Sequence, residues 1–236
     1  DGPALPGATI ADAAAGGLHA VSAILAALVR RARTGEGTHL DVAIADGVVA
    51  LMSLAVDEHL ATGDEPGPRH SLLTGRYACY DVYRCGDDGW VAVGAIEPQF
   101  FANLCRALGC PQWSDHQHDD DAQDAIRADF RAAFARKPRD EWVAELGPAD
   151  TCVSAVATVP EVVADEHFRA RHDFVTARRA DGAEFEQVGW VFAGMERERP
   201  TPEVRDATAT DTDALLAAAG LEPGAIERLR DEGAVA

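Results

Sequence analysis

From Ala13 to Val29 the sequence is interrupted only by His19 and Ser22, and Arg30, Arg31 and Arg33 follow at once. Such an apolar run has three fates: a secretory signal, a membrane span, or a helix of a folded domain. A signal would carry its positive charge before the apolar core, and here the charge comes after it. The run falls just short of the roughly 18 residues expected of a spanning helix, and much of it is alanine and glycine. The sequence therefore predicts a buried helix of a soluble domain, beginning near Asp12 and stopped at Thr34-Gly35-Glu36-Gly37.

The rest of the chain supports a globular protein. Its 236 residues can bury a real core, and 47% hydrophobic content argues against disorder. A net charge of −19 argues against a nucleic-acid or anionic-membrane surface. Five cysteines without a C-x-x-C pair point to a reduced, cytoplasmic compartment.

Periodicity and turn residues give a coarse map. His39 to Ile44 alternates like a short strand, and Asp46 is placed to cap a second apolar helix from Gly47 to Thr62. Gly63 to Pro68 is the clearest linker. Strands are predicted over Ala78–Arg84 and Trp90–Gly94, joined by a Gly-Asp-Asp-Gly hairpin turn at 86–89. A helix opens at Pro98 and runs to Leu108, with Phe100, Phe101, Leu104, Cys105 and Leu108 at helical spacing. Helices are expected over Asp121–Ala135 and Arg139–Leu146, a strand over Cys152–Val159, and a helix start at Pro160–Ala164. A strand at Gln187–Phe192 and two terminal helices, Asp211–Ala219 and Pro223–Arg230, complete the map. The fold class is α/β or α+β.

A few side chains invite a chemical reading. Asp12, at a helix start, is an ordinary cap by position alone, although a helix N-terminus also favours an ionised carboxylate. Glu97 beside Pro98 is an ordinary first-turn glutamate by the same reasoning. Cys105, Cys110, His116 and His118 have the types of a zinc set, but Cys105 belongs to the apolar helix face, so no metal site is assigned. Arg30, Arg31, Arg33, Arg69, His70 and Arg76 are the basic islands; none is assigned to a site.

Three stretches in register give these residues a family. They are Ile10–Leu18 continuing through Ile24–Leu28 to Gly37 and Asp41-Val42-Ala43; Tyr80–Tyr83 followed by Val91–Phe101; and Asp150–Val153 followed by Pro160-Glu161-Val162. Together they resemble the α-methylacyl-CoA racemase branch of the family III CoA transferases, over nearly the whole chain. The resemblance implies a Rossmann-like large domain (residues 1–66 and 186–236, incomplete here) with a smaller α+β domain inserted (67–185). It implies an interlocked homodimer with active sites between one protomer's large domain and the other's small domain. Family members carry a further N-terminal segment, with much of the coenzyme A site and, in the racemases, a catalytic histidine. This sequence begins after it, so the chain is expected to be either a fragment or one piece of a split enzyme with an N-terminal partner segment.

The resemblance makes Asp12 the catalytic aspartate and Glu97 the residue that holds the catalytic histidine across the dimer interface. His19, two turns after Asp12, is then a core or interface residue. The implied reaction is racemisation at C2 of a 2-methylacyl-CoA, by proton abstraction and return. One alternative is CoA transfer between carboxylic acids through an Asp12 intermediate; another is a non-catalytic fragment or subunit of a split enzyme. Transferases of the family tend to carry a mobile run of glycines before the first small-domain strand. Here Leu73-Thr74-Gly75-Arg76-Tyr77-Ala78 has one glycine where the typical racemase has two, a departure from both patterns but further from the transferase, which tilts the reading to the racemase. Coenzyme A enters as part of the substrate, and no separate cofactor is expected.

Overall fold

The first helix starts two residues ahead of Asp12 and is not α-helical at first. In the computed structural model, which describes residues 7–189, 201–206 and 209–235, Ile10–Leu18 forms a π-helix that continues into α1 (His19–Thr34). Gly35, at φ 75°, stops α1 where the sequence places the stop, and its N–H closes on the Arg31 carbonyl at 2.8 Å. The expected burial does not hold. Helix α1 buries no residue, and Leu18, Val21, Ile24, Leu25, Leu28 and Val29 are each about half exposed. The helical stretch Ile10–Thr34 runs 25 residues, longer than the apolar run suggested, and by length and composition alone suffices to cross a membrane. Within this unit α2 (Ile44–Leu51) packs on the π-helix, and the apolar side chains of α1 beyond it stay open.

That packing is close. A Cβ on Gly47 would lie 2.2 Å from the Ala15 carbonyl oxygen, so only glycine fits there. Ala15 is fully buried at the same contact. Two expectations fail nearby. Residues 39–43 form no strand, and the helix begins at Ile44, so Asp46 lies in its first turn rather than capping it. The alternating residues find no strand to pair with in this unit, and alternation without a partner does not make a sheet. The helix also breaks at Met52, and α3 (Ser53–Thr62) follows, ended by Gly63 at φ 80°.

The main core lies between Ala78 and Val153. Strands β1 (Tyr80–Arg84) and β2 (Trp90–Gly94) form the expected hairpin, paired Tyr80↔Gly94 through Arg84↔Trp90. Asp87 fixes the turn. Its Oδ1 accepts the Gly89 N–H at 3.1 Å and the Arg139 N–H at 3.0 Å, and these bonds hold its carboxyl below the usual range. Strand β3 (Val153–Ala155) pairs antiparallel with β2. It is shorter than the expected Cys152–Val159 strand: its ladder with β2 runs from Val153 to Ala155.

Tyr83, Val91, Val93 and Val153 face the core, where α4 (Pro98–Leu108) and α5 (Gln123–Phe134) cover them. Helix α4 matches its predicted bounds. It buries Phe101, Leu104, Cys105 and Leu108, the phenylalanine and the two leucines each stabilising by roughly 1.5–3 kcal/mol. Tyr83 stacks on Phe134 at 5.2 Å between ring centres, and Phe134 meets Trp142 of α6 (Arg139–Leu146) edge-on at 5.5 Å. The Tyr83 hydroxyl donates to the Ala78 carbonyl at 2.8 Å, so its burial leaves no polar atom unpaired.

The chain divides into two units after Ala155. In the second, Thr158 and Glu161 form a capping box on α7 (Val159–Ala164), and Asp165 caps α8 (Glu166–Ala170). Strand β4 (Phe174–Arg179) pairs with β5 (Glu184–Val188) in a hairpin and with β6 (Glu203–Val204) in parallel. The expected Gln187–Phe192 strand is thus shifted towards β5, and residues 190–192 lie outside the described ones. Helices α9 (Thr212–Ala218) and α10 (Pro223–Asp231) form where expected. Among the described residues the architecture is mixed α/β, with two small three-stranded sheets.

Candidate functional site

Asp12 stands in the first turn of the π-helix, exposed and free of capping duty. Thr9 occupies the cap position without a side-chain bond, and no described hydrogen bond reaches the Asp12 carboxylate. The plain reading of Asp12 as a cap is therefore removed. A π-helical stretch is rare and often marks a functional position, because it is less stable than an α-helix of the same sequence. The first turn also leaves backbone N–H groups without helical partners, beside which an ionised carboxylate or an oxyanion is favoured.

Glu97 is likewise released from its ordinary role. It takes the cap position of α4 with extended backbone (φ −75°, ψ 138°), and its side chain does not cap. Its carbonyl accepts the N–H groups of Phe100 and Phe101 at 3.0 and 3.1 Å, while its side chain is exposed. Next to it lies Cys152, whose thiol is pushed up by local desolvation and then by the charges of Glu97 and Asp150. Cys152 and Asp150 both hold positive φ, 52° and 51°, a conformation that costs non-glycine residues on the order of 1–3 kcal/mol. Two bonds hold this corner: Gly94 N–H to the Cys152 carbonyl at 2.9 Å and Asn103 Nδ2 to the Asp150 carbonyl at 3.1 Å. A cleft of about 540 Å³ opens beside it over the uncovered sheet face. Its walls include Gly75, Val82, Ala92, Gly94 and Cys152.

The segment before β1 forms the cleft's other wall, and it is pinned. Leu72–Thr74 is a single 3₁₀ turn, closed by a capping box between Ser71 and Thr74. Arg127, its side chain 4% exposed, pairs with Asp81 at 3.3 Å. It also donates to the Gly75 and Arg76 carbonyls at 2.6 and 2.7 Å. Arg76 in turn makes a two-pronged pair with Asp120 at 3.0 and 2.7 Å, which draws the Asp120 carboxyl below its ordinary range.

The remaining sequence candidates take separate places. His19 hydrogen-bonds the Ala15 carbonyl through Nδ1 at 2.8 Å. Cys105 and Cys110 are packed in the core, His116 pairs with Asp119 at 3.1 Å, and His118 meets the Tyr77 ring edge-on. Arg30 pairs with Glu36, and His70 with Glu58 at 3.2 Å. No hydrogen bond or ion pair described joins Asp12 to Glu97. Sequence reasoning missed Arg127 and the glutamines Gln117 and Gln123, both buried. On amphipathic or polar stretches such residues look like surface, and their partners lie as far as 52 residues away.

Residues 1–206 match CoA-transferase family III. The chain is 35% identical to alpha-methylacyl-CoA racemase of Homo sapiens over 185 residues, covering 77% of this chain and 48% of that protein. It is 30% identical to acetyl-CoA:oxalate CoA-transferase of Acetobacter aceti over 168 residues, 67% of this chain and 42% of that protein. The chain thus spans about half the length of the curated relatives it matches. A crystal structure of a CAIB/BAIF family protein from Brucella suis superposes with a TM-score of 0.66 at 23% identity, covering 93% of this chain and 57% of that one.

Proposed function

Because the chain belongs to CoA-transferase family III, we propose that it works on acyl-CoA thioesters in the cytoplasm and racemises C2 of a 2-methylacyl-CoA. The thioester carbonyl acidifies the adjacent C–H. Asp12, in the first turn of its helix, takes or returns the proton on one side, and a second base acts on the other. Backbone N–H groups at the helix start stabilise the enolate oxygen. Glu97 holds that second base in place. On this reading residues 1–66 and 186–236 belong to a Rossmann-like large domain and 67–185 to the inserted one, in an interlocked homodimer.

The observation that carries racemisation over CoA transfer is the pinned turn before β1. A transferase must shield a reactive acyl–aspartyl intermediate, and the family's glycine run serves as its lid. Here Arg127 and Arg76 tie the same segment down through buried and two-pronged bonds. A proton-exchange enzyme forms no acyl–enzyme and needs no such lid. Hydroxylamine trapping tests this. Incubated with acyl-CoA and a free acid, a transferase yields a hydroxamate on Asp12, which mass spectrometry of peptides locates. The expected result is an unmodified Asp12 alongside epimerised substrate; a trapped Asp12 with no epimerisation establishes the transferase instead.

A further inference from the structure

Strand β2 ends at Gly94, and Ala95 and Ile96 continue without a ladder partner before Glu97. Their two carbonyls are taken by one buried side chain. Gln117, 6% exposed, donates from Nε2 to the Ala95 oxygen at 3.0 Å and the Ile96 oxygen at 2.6 Å. The Ile96 carbonyl belongs to the peptide plane that joins Ile96 to Glu97, so its rotation changes φ of Glu97 and swings the Cα–Cβ bond. No side-chain cap bond holds Glu97, so its backbone fixes where Cβ sits and the direction from which the carboxylate reaches out.

Gln117 is itself fixed. Gln123, 5% exposed, accepts the Ala78 N–H at 2.8 Å and donates to the Gln117 and Asp119 carbonyls at 3.3 and 2.8 Å. We propose that Gln117 is a positioning residue: it locks the peptide planes before Glu97 and so aims the Glu97 carboxylate at its target. This inference rests on the role given to Glu97 above. Gln117 touches no substrate; it acts through Glu97.

A double-mutant cycle in the intact enzyme separates aiming from mere structure. Gln117→Met keeps the length and removes both donors. It is expected to lower kcat about 10–100-fold with KM within about threefold, as a displaced group does. In a Glu97→Asp background, where the carboxylate is already out of place, the same change is expected to cost under about threefold. Equal losses in both backgrounds, or no loss in the first, overturn the proposal. If Gln117→Met does not fold, Gln117→Leu, which also removes the donors, enters the same cycle with the same criteria. Failure of the underlying reading shows elsewhere: Glu97→Asp alone would leave kcat unchanged, or the unmodified enzyme would exchange no C2 proton.

Discussion

Asp12 and Glu97 share a physical peculiarity. Each is a carboxylate at a helix start, where capping is the usual role, and neither side chain caps. Relieved of that work, Asp12→Asn should leave the unfolding free energy within about 0.5 kcal/mol. Activity should fall about 100-fold or more, because an amide neither takes a proton nor attacks a thioester. Parallel urea titration and turnover measurements check both, and an active Asn variant would remove Asp12 from the mechanism. The two site residues were legible only through the family resemblance, since spacing alone assigned both to ordinary helix starts. Gln117, Gln123 and Arg127 were not legible at all. Their bonds span 4 to 52 residues, and nothing local marks a buried glutamine or arginine.

Elements were legible where punctuation was strong. Pro98 and Gly109 bracket α4, and the turn at 86–89 closes the first hairpin, so both agree with the sequence reading. Strand β4 was missed, although Asp181-Gly182, with Gly182 at φ 87°, is the kind of turn that announces a hairpin. The extended reading of 39–44 failed for the opposite reason: local alternation cannot know that no strand lies alongside. The crossing of α2 over the π-helix was also hidden, since Gly47 looks like any helical glycine. It yields a clear expectation. Gly47→Ala gains up to about 1 kcal/mol of helix propensity but drives a Cβ into the Ala15 backbone. Overpacking of about 1–3 kcal/mol should win, lowering stability. Gly17→Ala, whose Cβ would meet only the Asp12 carbonyl at 3.4 Å, is the control and should be neutral or stabilising. If Gly47→Ala stabilises as much as the control, the close crossing is wrong.

At the scale of the whole molecule, the apolar side chains of α1 and α2 stand uncovered in this unit, with Leu25, Val29, Val49 and Leu51 each more than half exposed. Under the proposed interlocked dimer, such surface joins an interface on the order of 2,000–5,000 Å². Sites shared between protomers then pair Asp12 of one chain with Glu97 of the other. Mixing Asp12→Asn and Glu97→Gln enzymes under verified subunit exchange should give heterodimers with both lesions in one site and the other intact, recovering up to half the activity. No recovery would place both residues of a site on one chain. The chemistry itself is tested most directly by isotope exchange at C2. Incubated in D₂O with a single epimer of 2-methylacyl-CoA, the intact enzyme should place one deuterium at C2 and yield both epimers. An acyl group that stays fully protiated while CoA moves to an added free acid would contradict the racemase account.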